Sequence, residues 1–148
     1  MYLWNIEKLK SKLTASPLTE REVLPYFLVF LGLYGLVPLI PIEGMNFWDY
    51  VGGAWSLVLT LLGSIYLYFK NGGSSGHYFL QRYFAVGWVV AVRWAAIFIP
   101  IFITYVFFFG FSESTTWHDT LIFAIAELVL YERIGHHIHD LAKREIAI

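Results

Sequence analysis

Four long apolar runs dominate this sequence, and each approaches or exceeds the length of a helix that crosses a bilayer. They cover about residues 24–40, 50–69, 83–109 and 117–133. A helix rises 1.5 Å per residue, so about 20 mostly apolar residues cross the hydrocarbon core. A transmembrane β-barrel would show short alternating segments instead. The sequence therefore predicts an all-α, polytopic membrane protein with four transmembrane helices.

The composition supports this class and excludes several others. Hydrophobic residues make up 58% of the 148 residues and charged residues 14%, whereas soluble domains have roughly 45–50% and about 25%. The net charge of −1 argues against a nucleic-acid partner. The chain contains no cysteine, which excludes disulfides and thiol catalysis. We expect the lipid bilayer to be its main surrounding, and we expect no cofactor.

The basic residues predict the orientation of the spans. Lys and Arg occur before the first run, between the second and third, and after the fourth, whereas the other two connections contain neither. The positive-inside rule then places both termini and the middle connection in the cytoplasm. The predicted location is a bacterial inner membrane, with little protein on the far side.

Three regions follow from this arrangement: a cytoplasmic N-terminal helix within residues 1–18, a bundle over residues 19–133, and a cytoplasmic tail over residues 134–148. Ile6, Leu9 and Leu13 recur at helical spacing, while Lys8 and Lys12 face away from them. An apolar face beside lysines is typical of a helix that lies on an anionic membrane surface. A partner protein could cover the same face instead.

The connection between the second and third runs is rich in glycine and serine. Residues 71–76 read Asn-Gly-Gly-Ser-Ser-Gly, a composition typical of a flexible linker. We therefore expect this stretch to be a cytoplasmic linker without a fixed structure.

The tail continues the helix of the fourth run and carries a broad polar face. Together with the N-terminal lysines, this face forms a candidate surface for a cytoplasmic partner: Lys8, Lys12, Glu132, His136, His137, His139, Asp140 and Lys143. His77, His136 and His139 are a weaker candidate set of metal or haem ligands. Their spacing matches no established metal motif, so a solvated polar face is the simpler interpretation.

Two ionisable residues lie within the predicted spans. Arg93 and Glu127 are on the third and fourth runs, which a short connection makes antiparallel neighbours. Charges at membrane depth face protein or water because lipid exposure costs about 2.5–3.5 kcal/mol on insertion scales. The two side chains could form an ion pair, or they could line an ion or proton pathway. Alternatively, Arg93 could extend to the cytoplasmic interface.

The second run carries small residues at helical spacing: Gly53, Ser56, Thr60, Gly63 and Ser64. Small side chains allow transmembrane helices to approach closely, and hydroxyl groups can hydrogen-bond across the contact. This stripe predicts either packing within one bundle or association between copies of the chain. Because a four-helix bundle has little interior, we expect a homo-oligomer.

No motif for nucleophilic, nucleotide-dependent or metal-dependent catalysis occurs in the sequence, so we expect a protein that is not an enzyme. The leading hypothesis is an oligomeric membrane anchor, scaffold or sensor for a cytoplasmic partner. By analogy, this description fits membrane subunits of bacterial stress or antiviral defence systems. The alternatives are a small oligomeric ion channel or transporter, and a haem- or metal-binding membrane subunit.

Overall fold

The computed structural model describes residues 2, 4–36, 44–110 and 114–146. Over these residues the chain is all-helical, with five α-helices: α1 (Ile6–Ala15), α2 (Glu20–Leu36), α3 (Phe47–Lys70), α4 (Phe79–Phe109) and α5 (Trp117–Ile146). The predicted all-α class is therefore confirmed. The first predicted run extends to residue 40, and its last four residues lie outside the described part of the chain.

Two helices, α3 and α4, are long and apolar enough to cross a membrane. Their outer surfaces suit lipid, because large side chains such as Leu61 on α3 and Phe107 on α4 are exposed. The described part of α2 has only 17 residues, and α5 carries four charged side chains before Ile134. Length and composition thus support two candidate spans, one on each side of the turn at residues 71–78.

Local sequence explains where three of the helices begin. The Asn46 side chain accepts hydrogen bonds from the first turn of α3, and the Asp49 carboxylate accepts one from the Asn46 backbone N–H. Thr116 and Asp119 form the same reciprocal arrangement at α5. Each pair satisfies backbone donors that a helix start leaves without intrahelical partners. At α1, Asn5 accepts a hydrogen bond from the Lys8 backbone.

Helices α3 and α5 run in the same direction, and α4 runs antiparallel to both. The starts of α3 and α5 are joined by a hydrogen bond from Asn46 Nδ2 to the Thr115 carbonyl at 2.7 Å. The end of α4 lies there too, because the Tyr105 hydroxyl donates to the Asp119 carboxylate. We call this end of the bundle the loop end, and the end that carries α1 and the last turns of α5 the terminal end.

The hydrophobic core is concentrated at the terminal end. Helix α1 packs on α4 and α5 there, and α2 packs on α4 through Phe30 and Trp88. The fully buried apolar side chains include Leu9, Leu67, Val86, Val89, Ile138 and Leu141. Because aliphatic side chains from four helices are buried together, this half of the molecule forms a packed block.

The position of α1 corrects the prediction for its apolar face. Ile6, Leu9 and Leu13 are buried within the protein, so neither lipid nor another protein covers them. Lys10 is also buried, and its Nζ donates to Asp140 Oδ2 at 2.8 Å. The amphipathic pattern is real, but the tail of the same chain provides the apolar surface that α1 covers.

The predicted flexible linker is instead an ordered turn. Asn71 is buried; its Nδ2 donates to the His77 carbonyl, and its Oδ1 accepts from Arg82 at 2.8 Å. A Cβ at Gly76 would lie 2.0 Å from the Asn71 carbonyl oxygen, and Gly72 has a φ of +101°. The glycines therefore allow a tight turn and a close backbone contact, which composition alone does not distinguish from flexibility.

Candidate functional site

A cavity of about 550 Å³ lies between α3, α4 and α5 at the loop end of the bundle. It extends from Asp49 and Asp119, at the starts of α3 and α5, to Ser56 and Glu127 farther along these helices. Glu127 follows Trp117 by ten residues, which corresponds to roughly 15 Å along α5. The volume falls within the roughly 300–1,000 Å³ range of pockets for small molecules.

Glu127 marks the inner end of this cavity. Its Oε1 accepts a hydrogen bond from the Ser56 hydroxyl at 2.6 Å. Its Oε2 is buried and accepts no hydrogen bond from the residues that the structure describes. Buried polar atoms are nearly always hydrogen-bonded. Because this oxygen has no donor within the described residues, it can accept a hydrogen bond from a bound molecule.

Two further carboxylates lie nearer the loop end, and both are already used within the protein. Asp49 accepts from the Asn46 backbone, and it also interacts with the Thr115 side chain. Asp119 accepts from Thr116 with one oxygen and from the Tyr105 hydroxyl with the other. They add negative charge to the cavity while their oxygens stabilise the helix starts.

Aromatic rings form much of the remaining wall. Phe123 of α5 lies 5.2 Å, centroid to centroid, from Phe102 of α4, and Phe102 is stacked near Tyr105. Trp48 and Trp55 contribute from α3. Among the described lining residues there is no Lys, Arg or His. The cavity thus combines negative charge with π-faces, a combination that favours cations.

The structure places Arg93 and Glu127 in different surroundings. The contacts between Phe102 and Phe123 and between Gly87 and Ile134 put the two backbones at similar levels, as antiparallel packing predicts. The Arg93 guanidinium, however, lies over the Trp4 ring, 5.8 Å from its centroid, and thus faces the terminal end. No ion pair joins Arg93 to Glu127 in the described part of the chain.

The small residues of α3 contact α4 and α5 of the same chain, with one exception. Ser56 binds Glu127, Thr60 lies beside the Tyr131 hydroxyl, and the Ser64 hydroxyl is 3.2 Å from that of Tyr83. A Cβ at Gly63 would lie 2.5 Å from the Tyr131 ring, whereas one at Gly53 would meet nothing within 4 Å. Four of the five predicted packing residues therefore have partners within the bundle.

The predicted cytoplasmic partner face is partly used inside the protein. Asp140 binds Lys10 and Arg144, and Glu132 accepts from the Tyr66 hydroxyl at 2.6 Å. Lys12 is 3.6 Å from Glu22, and His137 and His139 are half-buried. The exposed members of the set are Lys8, Glu132, His136 and Lys143.

The candidate metal ligands are not brought together in the described residues. His77 lies in the turn before α4 and is exposed, while His136 and His139 lie on α5. Asp140, the carboxylate nearest to them in sequence, is bound to Lys10. No group of three or more His, Cys, Asp or Glu side chains in the described ranges is arranged to hold a metal ion.

Sequence reasoning identified Ser56 and Glu127 separately but missed their contact and the aromatic wall beside them. A usable signal was the acidic residue near the start of both α3 and α5, which places Asp49 and Asp119 at one end of the bundle. Comparison with protein-family models, with curated proteins and with solved structures finds no match to this chain. The function is therefore inferred from the geometry of the cavity.

Proposed function

We propose that this chain is a multi-pass membrane protein that binds a cationic solute in an outward-facing cavity, as a small transporter does. In this proposal α2, α3, α4 and α5 are four spans, with both termini in the cytoplasm of a bacterial inner membrane. The terminal end is then the cytoplasmic end, and the cavity opens toward the far side. The basic residues around the terminal end support this orientation.

The observation that carries the proposal is the Glu127 carboxylate at the inner end of the cavity. A carboxylate at this depth is costly unless protein, water or a ligand accompanies it. Its Ser56 partner occupies only one oxygen, and the lining adds two more carboxylates without a described basic residue. A cation that enters from the outside meets negative charge at the entrance, from Asp49 and Asp119, and again at Glu127.

The packed block at the terminal end favours a transporter over an open channel. Val86, Val89, Ile134 and Ile138 are buried between the cavity and the cytoplasmic end. Close-packed aliphatic side chains exclude hydrated ions. The arrangement is that of an outward-open, inward-closed state, so release to the cytoplasm would require a rearrangement of these helices.

Charged thiol reagents test the proposal directly, because the chain contains no cysteine. Ala124 lines the cavity, so Ala124→Cys introduces a single thiol there. In intact cells, trimethylammonium-ethyl methanethiosulfonate should modify it at least about tenfold faster than the sulfonate-ethyl reagent, after normalisation to an exposed thiol such as Ser74→Cys in permeabilised cells. Adding Glu127→Gln should reduce this preference. Equal rates for the two reagents, or no reaction from outside, would rule the proposal out.

A second candidate, the anchor or scaffold, is favoured by the exposed side chains of the terminal end. Lys8, His136 and Lys143 are exposed on the two chain ends that α1 joins into one block. Substitution of all three residues by glutamate leaves the buried face of α1 intact. If this variant no longer co-purifies with a cytoplasmic partner of the wild type, the result favours the scaffold. If the partner is retained, this surface is excluded as its binding site.

We also propose that the chain forms a homo-oligomer. The exposed face of α3 carries Gly53, Leu57 and Leu61, and small residues beside leucines suit close contact between helices in lipid. The mass of the protein in nanodiscs, measured by native mass spectrometry, tests this point. A monomeric mass would contradict it.

A further inference from the structure

The geometry points to an organic monocation, with an ammonium group at Glu127 and an apolar body against the aromatic wall, as the ligand of the cavity. This inference rests on the proposed function and specifies the class of cation. Three properties of the described residues support it: the buried Glu127 oxygen that has no donor, the chemistry of the cavity walls and the cavity volume.

The carboxylate oxygen without a donor indicates where the charged group of the ligand binds. Asp49 and Asp119 hold helix starts through backbone and hydroxyl donors, and Ser56 occupies Glu127 Oε1. Glu127 Oε2 is then the carboxylate oxygen of the described lining that is buried and has no donor. An ammonium N–H can donate to this oxygen, and the Glu127 carboxylate neutralises the single positive charge placed beside it.

The positions of the carboxylates argue against a metal ion. Ca²⁺ takes six to eight oxygen ligands, and Mg²⁺ takes six at short distances. In the described lining, Asp49 and Asp119 are held at the helix starts, whereas Glu127 lies farther along α5, and no three such side chains in the described ranges are arranged to hold a metal ion. A single ammonium group needs only one carboxylate beside it.

The residues that line the cavity indicate that the cation carries an organic group. Phe102, Phe123 and Trp55 line the cavity beside Ser56 and Glu127, and their π-faces attract ammonium groups and adjacent C–H groups. The Trp55 indole N–H is buried and has no acceptor among the described residues. A volume of about 550 Å³ would leave an inorganic ion largely hydrated, whereas a molecule with one or two rings would contact the walls.

Four probes distinguish the effects of positive charge, of an aromatic group and of a divalent metal charge on binding. They are 2-naphthylmethylammonium, its uncharged analogue 2-naphthylmethanol, the ammonium ion and Mn²⁺. Binding is measured to wild-type protein in nanodiscs by isothermal titration calorimetry, with empty nanodiscs subtracted. We expect the naphthyl ammonium to bind at least tenfold more tightly than each of the other three. Glu127→Gln should weaken its binding at least tenfold, and Trp55→Leu by three- to tenfold.

Glu132→Gln is the matched control, since it makes the same change on the same helix outside the cavity and should leave binding unchanged. Size-exclusion chromatography verifies that each variant is folded, and the comparison of probes on wild-type protein does not depend on any variant. Equal binding of the alcohol would overturn the inference, because the cavity would then select apolar bodies without regard to charge. Tighter binding of Mn²⁺ or ammonium would overturn it in favour of an inorganic cation.

These outcomes are separate from failure of the proposed function. If Ala124→Cys still prefers the cationic reagent but the naphthyl ammonium does not bind, the cavity is cation-selective and the inferred ligand class is wrong. If the thiol shows no charge preference, the proposed function fails first and the inferred ligand class fails with it.

Discussion

Lys10 and Asp140 lie 130 residues apart in the chain, and their side chains meet at 2.8 Å. The Lys10 side chain is 4% exposed and that of Asp140 37%. Glu7 is farther from Lys10 Nζ, at 3.6 Å. This ion pair fixes the N-terminal helix on the C-terminal tail, beside the buried contacts of Leu9 and Ile138.

Asp140→Asn should therefore destabilise the protein by about 1–3 kcal/mol, because it leaves the buried Lys10 ammonium without its closest carboxylate. Thermal unfolding in detergent, followed by circular dichroism, measures the effect. Lys12→Met is the control, since Lys12 and Glu22 are both substantially exposed and solvent-exposed ion pairs contribute little to stability. Equal effects of the two substitutions would contradict the importance of the buried pair.

Gly63→Ala should destabilise the contact between α3 and α5. The new Cβ would lie 2.5 Å from the Tyr131 ring, and overpacking of this kind costs about 1–3 kcal/mol. Gly52→Ala is the matched control on the same helix, because a Cβ there would make only an ordinary van der Waals contact, 3.7 Å from the Thr120 methyl carbon. It should be neutral or stabilising by up to about 1 kcal/mol. The midpoints of thermal unfolding of the two variants test this prediction. A larger decrease for the control than for Gly63→Ala would show that the interface between α3 and α5 is elsewhere.

The stability of the terminal end should decrease as the pH falls from about 6.5 toward 4. Burial is the largest cause that lowers the pKa of His137 from 6.5 to about 4; the positive charges of Lys10, His136 and Arg93 add to the decrease, and Glu7 opposes it. Between these values the unfolded chain binds more protons than the folded one, so the free energy of unfolding decreases with falling pH.

His137→Gln should flatten this pH dependence, which unfolding midpoints measured from pH 7 to pH 4 would reveal. His136→Gln is the neighbouring control, because His136 is exposed, and we expect it to retain most of the dependence. The Lys10 ammonium also lowers the pKa of Asp140, so some loss of stability at the acidic limit should remain in both variants. An unchanged slope for His137→Gln would exclude His137 as its origin.

Arg93 and Glu127 should act independently on stability, since one lies over Trp4 and the other binds Ser56. A double-mutant cycle with Arg93→Met and Glu127→Gln should give a coupling energy below about 0.5 kcal/mol. The unfolding midpoints of the wild type, both single variants and the double variant provide the cycle. A coupling energy well above 1 kcal/mol would indicate that the two side chains form the ion pair that the sequence suggested.

The proposed four-span topology predicts opposite accessibility for thiols in two connections. Ser74 is exposed in the turn between α3 and α4, and Ser114 precedes α5 at the loop end. In intact cells an impermeant maleimide should label Ser114→Cys, and it should label Ser74→Cys only after permeabilisation. The reverse pattern would indicate the opposite orientation in the membrane, and labelling of both thiols in intact cells would show that α4, which lies between them, does not cross the membrane.

The helices were predictable because apolar length and helix caps are local properties. The second predicted run, 50–69, lies within α3, and the fourth starts with α5 at Trp117. In both helices, short polar pairs such as Asn46 and Asp49 fix the start. The continuation of α5 beyond residue 133 also followed from its periodic pattern.

The partners of these helices were harder to predict, because they depend on contacts between distant residues. A short connection suggested that Glu127 of α5 would pair with α4, but its hydrogen-bond partner is Ser56 of α3, 71 residues away. Likewise, the spacing of Leu9 and Leu13 shows that α1 has an apolar face without showing what covers it. The cavity is therefore a property of the assembled helices, and no segment contains it.

The packing of α1 on the tail also determines when the protein can be completed during synthesis. Leu9 is translated long before Ile138 and Leu141, with which it shares one buried cluster. Domains generally fold as units during synthesis, so α1 can bury its apolar face only after α4 and the last turns of α5 have been made. Until then the apolar face of α1 stays uncovered, and truncation before these turns would leave it so.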